Sequence, residues 1–359
     1  MKRTVCFGEL LLRLAPLDRL RIAQALPGHL ETAFAGAEAN VAVAIAQLGG
    51  AAEFVSALPL NPVGEAAVSV LRAINVGVEN ILRREAGRCG AYFVETGASQ
   101  RGGSVLYDRE GSTFSLTGDA DYDWPRILAG AGWFHTTGIS AGVSRIAAAA
   151  TLTAVRAAKA GGLTVSCDLN FRRKLWRWEP GVAPEELARR TLAEILPHVD
   201  LLVGNAHDIA GTLGEEFGDD DGKPLEQQVA LAKRASRQFP QLQWVAITLR
   251  QNHSASRNRW GALLYRTRDG ALFVAPSQHD HYEPYAIDTI VDRVGTGDAF
   301  AGALIFALQT PGLDELGRAL SFATAAGCLA HSIKGDFFYC TRTEVEALAG
   351  GDGAGYLSR

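Results

Sequence analysis

Three things are scarce in this 359-residue chain, and each scarcity closes off a class of function. Cysteine is the first. The five residues Cys6, Cys89, Cys167, Cys328 and Cys340 are scattered and odd in number, with no C-x-x-C pair. That pattern speaks against a disulfide framework or a zinc site and suits reduced thiols, so a cytoplasmic protein is expected. Long apolar runs are the second. The start Met1-Lys2-Arg3-Thr4-Val5-Cys6 is basic but lacks the apolar stretch of a signal peptide, and no later run reaches membrane length. Basic excess is the third: the formal charge is −4, which argues against a nucleic-acid or anionic-membrane partner. An anionic small molecule would have to be met by local basic groups.

What is present is the composition of a soluble globular enzyme, 47% hydrophobic and 21% charged. The length is too great for one compact core and too small for three, so one large domain with a smaller appendage is expected. Apolar runs of strand length (Val5 to Leu12, Phe54 to Leu58, Trp133 to Thr136, Leu163 to Asp168, Leu201 to Val203, Trp244 to Thr248) alternate with helical patterns. The helices read near Ala39–Leu48, Gly64–Ile74, 143–159, 184–196 and 226–238. Near-continuous apolar strands in β-α alternation predict an α/β fold with a mostly parallel sheet covered on both faces.

Two regions break that rhythm. Residues 13–35 and 89–117 alternate polar and apolar positions, as in Ala91-Tyr92-Phe93-Val94-Glu95 and Ser104-Val105-Leu106-Tyr107-Asp108. Period-two alternation predicts half-exposed antiparallel strands. They read either as a small β-sheet lid over the mouth of the main sheet or as plain surface hairpins. With the lid reading, residues 1–12, 36–88 and 118–359 form the α/β domain. Gly218 to Gly222 reads as a solvated acidic turn.

The segment Val294-Gly295-Thr296-Gly297-Asp298 runs directly into the apolar, small-residue stretch Ala299 to Leu308. It reads as a glycine-punctuated turn opening a buried helix. Backbone N–H groups at such a start point toward an anion, and glycine lets the backbone approach a phosphate closely. A carboxylate beside a bound phosphate needs a task, and taking a proton from an attacking hydroxyl is one. The helix N-terminus is expected to keep Asp298 ionised. An ordinary N-cap is the competing reading. Two other nucleotide motifs fail here. No G-K-[ST] follows, and Ala299 and Phe300 break a G-x-G-x-x-G spacing.

Asp292 to Asp298 followed by Ala-Phe-Ala-Gly resembles the C-terminal signature of the ribokinase-like (PfkB) carbohydrate kinases. Gly36-Ala37-Glu38-Ala39-Asn40 resembles their N-terminal glycine-asparagine segment. Phe7-Gly8-Glu9, Gly97 to Arg101, Asp168 to Trp176, Thr248-Leu249-Arg250, Asp292 to Gly295 and His331 to Phe337 resemble the 2-dehydro-3-deoxygluconokinase branch, in order along nearly the whole chain. The resemblance implies a three-layer α/β/α kinase using ATP and Mg²⁺, with a monovalent cation (K⁺) left open, and a homo-oligomer, a dimer through the lid favoured. It implies Asp298 as general base with Gly295, Thr296 and Gly297 as anion hole. Gly36, Asn40, Tyr92, Tyr107, Arg109 and Arg172 are implied as sugar-acid contacts. Asn205, Thr248, Arg250 and Gly297 are implied on the nucleotide side, and Asn205 with Asp208 at the magnesium, through water. Three positions depart from the family pattern: Asp208 stands for Glu, Thr296 for Ala or Gly, and Arg293 for Thr.

Without the family, several of these residues keep two readings. Arg172 follows a strand end where open α/β sheets bind ligands, and a guanidinium grips a carboxylate through paired hydrogen bonds. Equally, Arg172-Arg173-Lys174 reads as a solvated basic turn. Tyr107 and Arg109 share one strand face by period-two spacing. Asn205 and Asp208, three apart beyond Leu201-Leu202-Val203, suit Mg²⁺, yet Asp208 also suits a helix N-terminus. His279-Asp280-His281 reads as a surface loop, His135 as a satisfied core-edge residue, and Trp176 and Trp178 as packing residues. A neutral-sugar kinase and a non-catalytic sugar or nucleotide sensor are the rival functions.

Overall fold

Strands apolar on both faces must be covered on both sides, and the main sheet is built that way. The computed structural model describes residues 2–215, 217, 224–278 and 281–351. The acidic turn at 218–222 and His279-Asp280 lie outside them. The strands, in chain order, are β1 (Arg3–Phe7), β2 (Leu11–Ala15), β3 (Glu31–Ala35), β4 (Ala52–Pro59), β5 (Ile81–Arg84), β6 (Gly90–Glu95) and β7 (Ser104–Asp108). They continue with β8 (Ala131–Thr137), β9 (Thr164–Asp168), β10 (Leu201–Asn205), β11 (Trp244–Ser254), β12 (Arg257–Arg266) and β13 (Leu272–Ala275). The main sheet has the order β13-β12-β11-β10-β9-β8-β1-β4-β5, with a further short strand, Tyr285–Ile287, pairing antiparallel to β12 off this path. From β11 to β5 every pairing is parallel, and β12 and β13 add antiparallel strands at one edge.

The principal helices are α1 (Ala37–Gln47), α2 (Pro62–Ala73), α3 (Arg145–Ala160), α4 (Pro184–Ile195), α5 (Ala206–Leu213), α6 (Leu225–Gln238), α7 (Thr296–Leu308) and α8 (Leu316–Ala330). Successive strand residues point to opposite faces. Cys6, Phe54 and Val203 therefore pack with α1, α7 and α8, while Phe7, Val55 and Leu202 pack with α3, α4 and α6. Helix α7 is buried along nearly its whole length, which explains why it is apolar all round rather than striped. Burying Phe300, Leu304 and Ile305 there contributes about 1.5–3 kcal/mol each. The architecture is the expected three-layer α/β fold with a separate small sheet.

That small sheet has the order β3-β2-β6-β7. Its pairings correct one expectation: β2 and β6 are parallel, and only the outer pairs β2–β3 and β6–β7 are antiparallel. The reason is topological. The chain passes into the small sheet twice, from β1 and from β5, which are themselves parallel members of the main sheet, so β2 and β6 set out in the same direction. A second expectation also fails. Val5 to Leu12 is not one strand, because the chain bends between Phe7 and Leu11 to pass from one sheet to the other. Residues 17–25 and 113–116 form short helical turns rather than strands.

Candidate active site

The carboxyl ends of β9, β10 and β11 and the amino ends of α1 and α7 surround a cavity of about 510 Å³, roofed on one side by the small sheet. Open α/β sheets bind ligands at this edge. The sequence candidates come together here. Gly36 and Asn40 enter from α1, Tyr92, Tyr107 and Arg109 from the small sheet, and Arg172 from beyond β9. Asn205 and Asp208 lie at the β10–α5 junction, Thr248 and Arg250 on β11, and Gly295 to Asp298 at the head of α7.

Asp298 lies at the head of α7, in its first turn. Gly295, with φ of 84°, occupies the left-handed region as N-cap, and a Cβ there would overlap the carbonyl oxygen of Asp336. The turn therefore requires glycine on two grounds, conformation and space. The first N–H groups of a helix have no intrahelical acceptor, so the amides at the head of α7 are open to a partner from the cavity. Asn40 Nδ2 donates to Asp298 Oδ2 at 2.6 Å. Asn40 is itself fixed by Gly36, whose φ of 146° and tight approach to the Glu9 carbonyl start α1 at this point.

The ionised state expected for Asp298 needs correction. Burial pushes its carboxyl up to about 7, against the lowering effect of the Asn40 hydrogen bond and of Arg172, with the Asp336 charge adding to the rise. Desolvation of a carboxylate with 7% exposure outweighs the helix N-terminus. A base poised near neutrality suits proton abstraction better than one held low.

At the β10–α5 junction, Asn205 caps α5. Its Oδ1 accepts from the Asp208 N–H at 2.9 Å, and its Nδ2 donates to Asp208 Oδ2 at 3.0 Å. The Phe171 N–H also reaches that oxygen, at 3.2 Å. Asp208 is thus both a helix-start charge and a cavity-lining carboxylate. Asp168 stands beside it, and burial together with Asp298 and Asp208 raises its carboxyl well above the ordinary range. Three carboxylates facing one cavity with Arg172 as their shared cationic neighbour form a field that favours an added cation. The described residues contain no cluster of three or more His, Cys, Asp or Glu able to cage a metal. An ion that keeps several waters and uses few protein ligands, as Mg²⁺ does, fits this donor set.

The basic turn divides. Arg172 lines the cavity, Arg173 pairs with Glu185 at the surface, and Lys174 Nζ donates to the Val105 carbonyl of β7 at 2.9 Å. Arg109 is more constrained than the sequence suggested. Its Nε donates to Glu9 Oε2 at 2.7 Å, its Nη2 is ion-paired with the same oxygen at 2.6 Å, and its guanidinium lies 5.8 Å from the Tyr107 ring centre. Tyr92 donates its hydroxyl to Asp336, at 2.7 Å to Oδ1. Asp336 in turn accepts from Arg13 Nη1 at 2.6 Å, and Arg13 Nη2 pairs with Asp292. Glu9, Arg13, Asp168 and Asp336 were not singled out from sequence. The available signal was a charge set in or beside an apolar run, clearest for Arg13 within Leu10-Leu11-Leu12-Arg13-Leu14. His135 is buried with Nδ1 bonded to Ser166 Oγ at 2.8 Å, and Trp176 is a fully buried packing residue.

Comparison with known proteins agrees with this geometry. The pfkB family carbohydrate kinase profile matches residues 1–252 and 262–340. A 2-dehydro-3-deoxygalactonokinase of Haloferax volcanii is 34% identical over 97% of each chain. The crystal structure of 2-dehydro-3-deoxygluconokinase from Thermotoga maritima superposes with a TM-score of 0.87 at 38% identity, over 98% of this chain and 100% of that one. A putative 2-keto-3-deoxygluconate kinase from Enterococcus faecalis gives 0.86 at 27% identity, over 100% and 99%. With the family match running along almost its entire length, this chain belongs to the pfkB family of carbohydrate kinases, enzymes that transfer a phosphoryl group to an alcohol.

Proposed function

We propose that this kinase phosphorylates the 6-hydroxyl of 2-dehydro-3-deoxy-D-gluconate with ATP. One observation carries the reading: Asp298 and the 295–297 turn line the same cavity as two arginines, Arg109 and Arg172. A sugar carboxylate gives the Arg172 guanidinium a carboxylate partner that a neutral sugar lacks, beside an Arg109 already paired with Glu9. The likeness to the gluconate and galactonate enzymes named above supports the same substrate class.

In this reading Asp298 takes the proton of the 6-hydroxyl, and the freed oxygen attacks the γ-phosphorus while the bond to the bridging oxygen of ADP breaks. The 295–297 amides receive the charge on the moving phosphoryl group. Asn40 orients Asp298, and its own Oδ1 is buried without a hydrogen-bond partner. Thr248 and Arg250 line the nucleotide side, with Arg250 Nη2 bonded to Thr296 Oγ1 at 3.1 Å. Asn205 and Asp208 would hold Mg²⁺ through water, where the ion offsets phosphate charge. The small sheet, acting as a lid, keeps water from the γ-phosphate.

A neutral-sugar kinase is the second reading. Its support is the Glu9–Arg109 pair, which already neutralises one of the two arginines, and the plant fructokinases at 27–29% identity. A substrate panel separates them. The assay follows ATP-dependent phosphorylation of 2-dehydro-3-deoxygluconate, its galactonate epimer, gluconate, fructose and ribose, with the product position read by ³¹P NMR. The proposal expects the highest kcat/KM for 2-dehydro-3-deoxygluconate, and activity confined to fructose or ribose would overturn it.

A further inference from the structure

The ion cluster of Arg13, Asp292 and Asp336, where the small sheet meets the turn before α7, borders the cavity through Asp336 and is among the most buried charge in the molecule. The side chains of Arg13, Asp292 and Asp336 are 5%, 4% and 4% exposed. Asp292 holds the backbone just ahead of the anion nest. Its Oδ1 accepts from the N–H groups of Arg293 at 2.8 Å and Val294 at 3.2 Å, and its Oδ2 accepts from Gly335 N–H at 3.3 Å and from Arg13 Nη2. Asp336 flanks the nest from the other side, its carbonyl packed on Gly295. Arg13 is the group that joins the two acids. It reaches them from β2, opposite Tyr92 in register, so the small sheet supplies both donors to Asp336.

A carboxylate offers about four acceptor sites. Asp292 uses all of them on N–H donors. A monovalent metal ion seeking oxygen ligands beside this turn would find none free on Asp292 and would meet the Arg13 guanidinium at close range, where like charges in a buried site repel strongly. The donor set does not fit K⁺.

We propose that Arg13 is a positioning residue that serves as the built-in cation of the anion-hole turn, so that phosphoryl transfer by this chain needs no monovalent metal ion. The inference rests on the kinase reading of the cavity but not on which sugar is the acceptor. Arg13 fixes the geometry of the amides; it does not touch the reacting atoms.

The test compares wild type and Arg13→Ala in tetramethylammonium buffer, then with added KCl or low-millimolar guanidinium at constant ionic strength, using whichever acceptor the substrate panel yields. Wild type should change less than about twofold with K⁺ or guanidinium, as for a site already filled. Arg13→Ala should lose roughly 100-fold in kcat, the scale of a lost anion-hole donor, and regain part of it along a saturable guanidinium curve. A merely structural role would lower the active fraction without making the folded enzyme respond saturably to a small cation. Activation of wild type by K⁺ of tenfold or so, or wild-type kcat in Arg13→Ala, would overturn the proposal. Should the variant fail to fold, wild type still decides. The melting temperature of the ATP–Mg²⁺ complex should show no rise specific to K⁺, a readout independent of the acceptor, and a K⁺-specific rise counts against the inference.

Discussion

Asp298 carries two pH signatures. Its carboxyl stands near 7 in the folded chain against an ordinary 3.8. As a base it must be deprotonated, so kcat/KM should rise about tenfold per pH unit up to about 7 and then level off. A limb near pH 4 instead would mean that the helix start governs its charge after all. Stability runs the other way. The raised carboxyl is protonated in both states at low pH, so it costs nothing there; the cost appears above the unfolded value and is complete above about 7. Asp298→Asn should therefore unfold at higher denaturant than wild type at pH 8, by a few kcal/mol on the order-of-magnitude scale of such a shift, with the gap closing toward pH 4. A gap independent of pH would contradict this.

The arginines make a separate prediction at the same scale. Arg172→Met should raise KM for the sugar acid by about 10- to 100-fold, the range of one or two charge-assisted hydrogen bonds, while fructose or ribose turnover hardly changes. Equal losses on acid and neutral sugars would argue that Arg172 serves the nucleotide. Residue by residue, the sequence was legible where function is local. The glycine turn and Asp298 are adjacent, so one motif exposes both. Glu9 with Arg109, and Arg13 with Asp292 and Asp336, are 100, 279 and 323 positions apart. Only the folded topology makes those pairs, and no spacing rule reaches them.

At the scale of elements, the head of α7 is the most demanding. Gly295→Ala must place a side chain at φ 84° and against the Asp336 carbonyl. Strain of this kind costs about 1–3 kcal/mol, and a displaced anion nest should lower kcat by roughly 100-fold. Near-normal kcat in a stably folded Gly295→Ala would show that the amides of this turn do not carry the transition-state charge. Helices and parallel strands were readable because burial on two faces leaves a plain apolar signature in the sequence. Strand direction in the small sheet was not. Alternation at period two reports which face is buried but says nothing of whether a neighbour runs parallel, and β2–β6 is parallel because of where the chain leaves the main sheet. The bend between β1 and β2 was hidden for a related reason, since both strands are apolar and only two polar or small residues, Gly8 and Glu9, interrupt them.

At the scale of the molecule, the cavity belongs to both sheets at once: the main sheet and its helices bring Asp168, Asn205, Thr248 and Asp298, and the small sheet with the residue after it brings Tyr92, Tyr107 and Arg109. A ligand spanning them should stabilise the whole fold by mass action. At a hundred times Kd the sugar acid should add about 2.7 kcal/mol to unfolding, visible as a rise in Tm, with less from fructose at the same concentration. The net charge of −4 gives an anionic substrate no long-range attraction, so its recognition rests on the local arginines.

The central claim is that Asp298 moves the proton, and single-turnover phosphoryl transfer tests it most directly. Enzyme saturated with ATP, Mg²⁺ and 2-dehydro-3-deoxygluconate is quenched over time for wild type and Asp298→Asn, with ATP affinity measured in parallel. The account predicts similar ATP affinity and a transfer rate lowered by roughly 100- to 10,000-fold in the variant. Transfer at the wild-type rate by Asp298→Asn would contradict it.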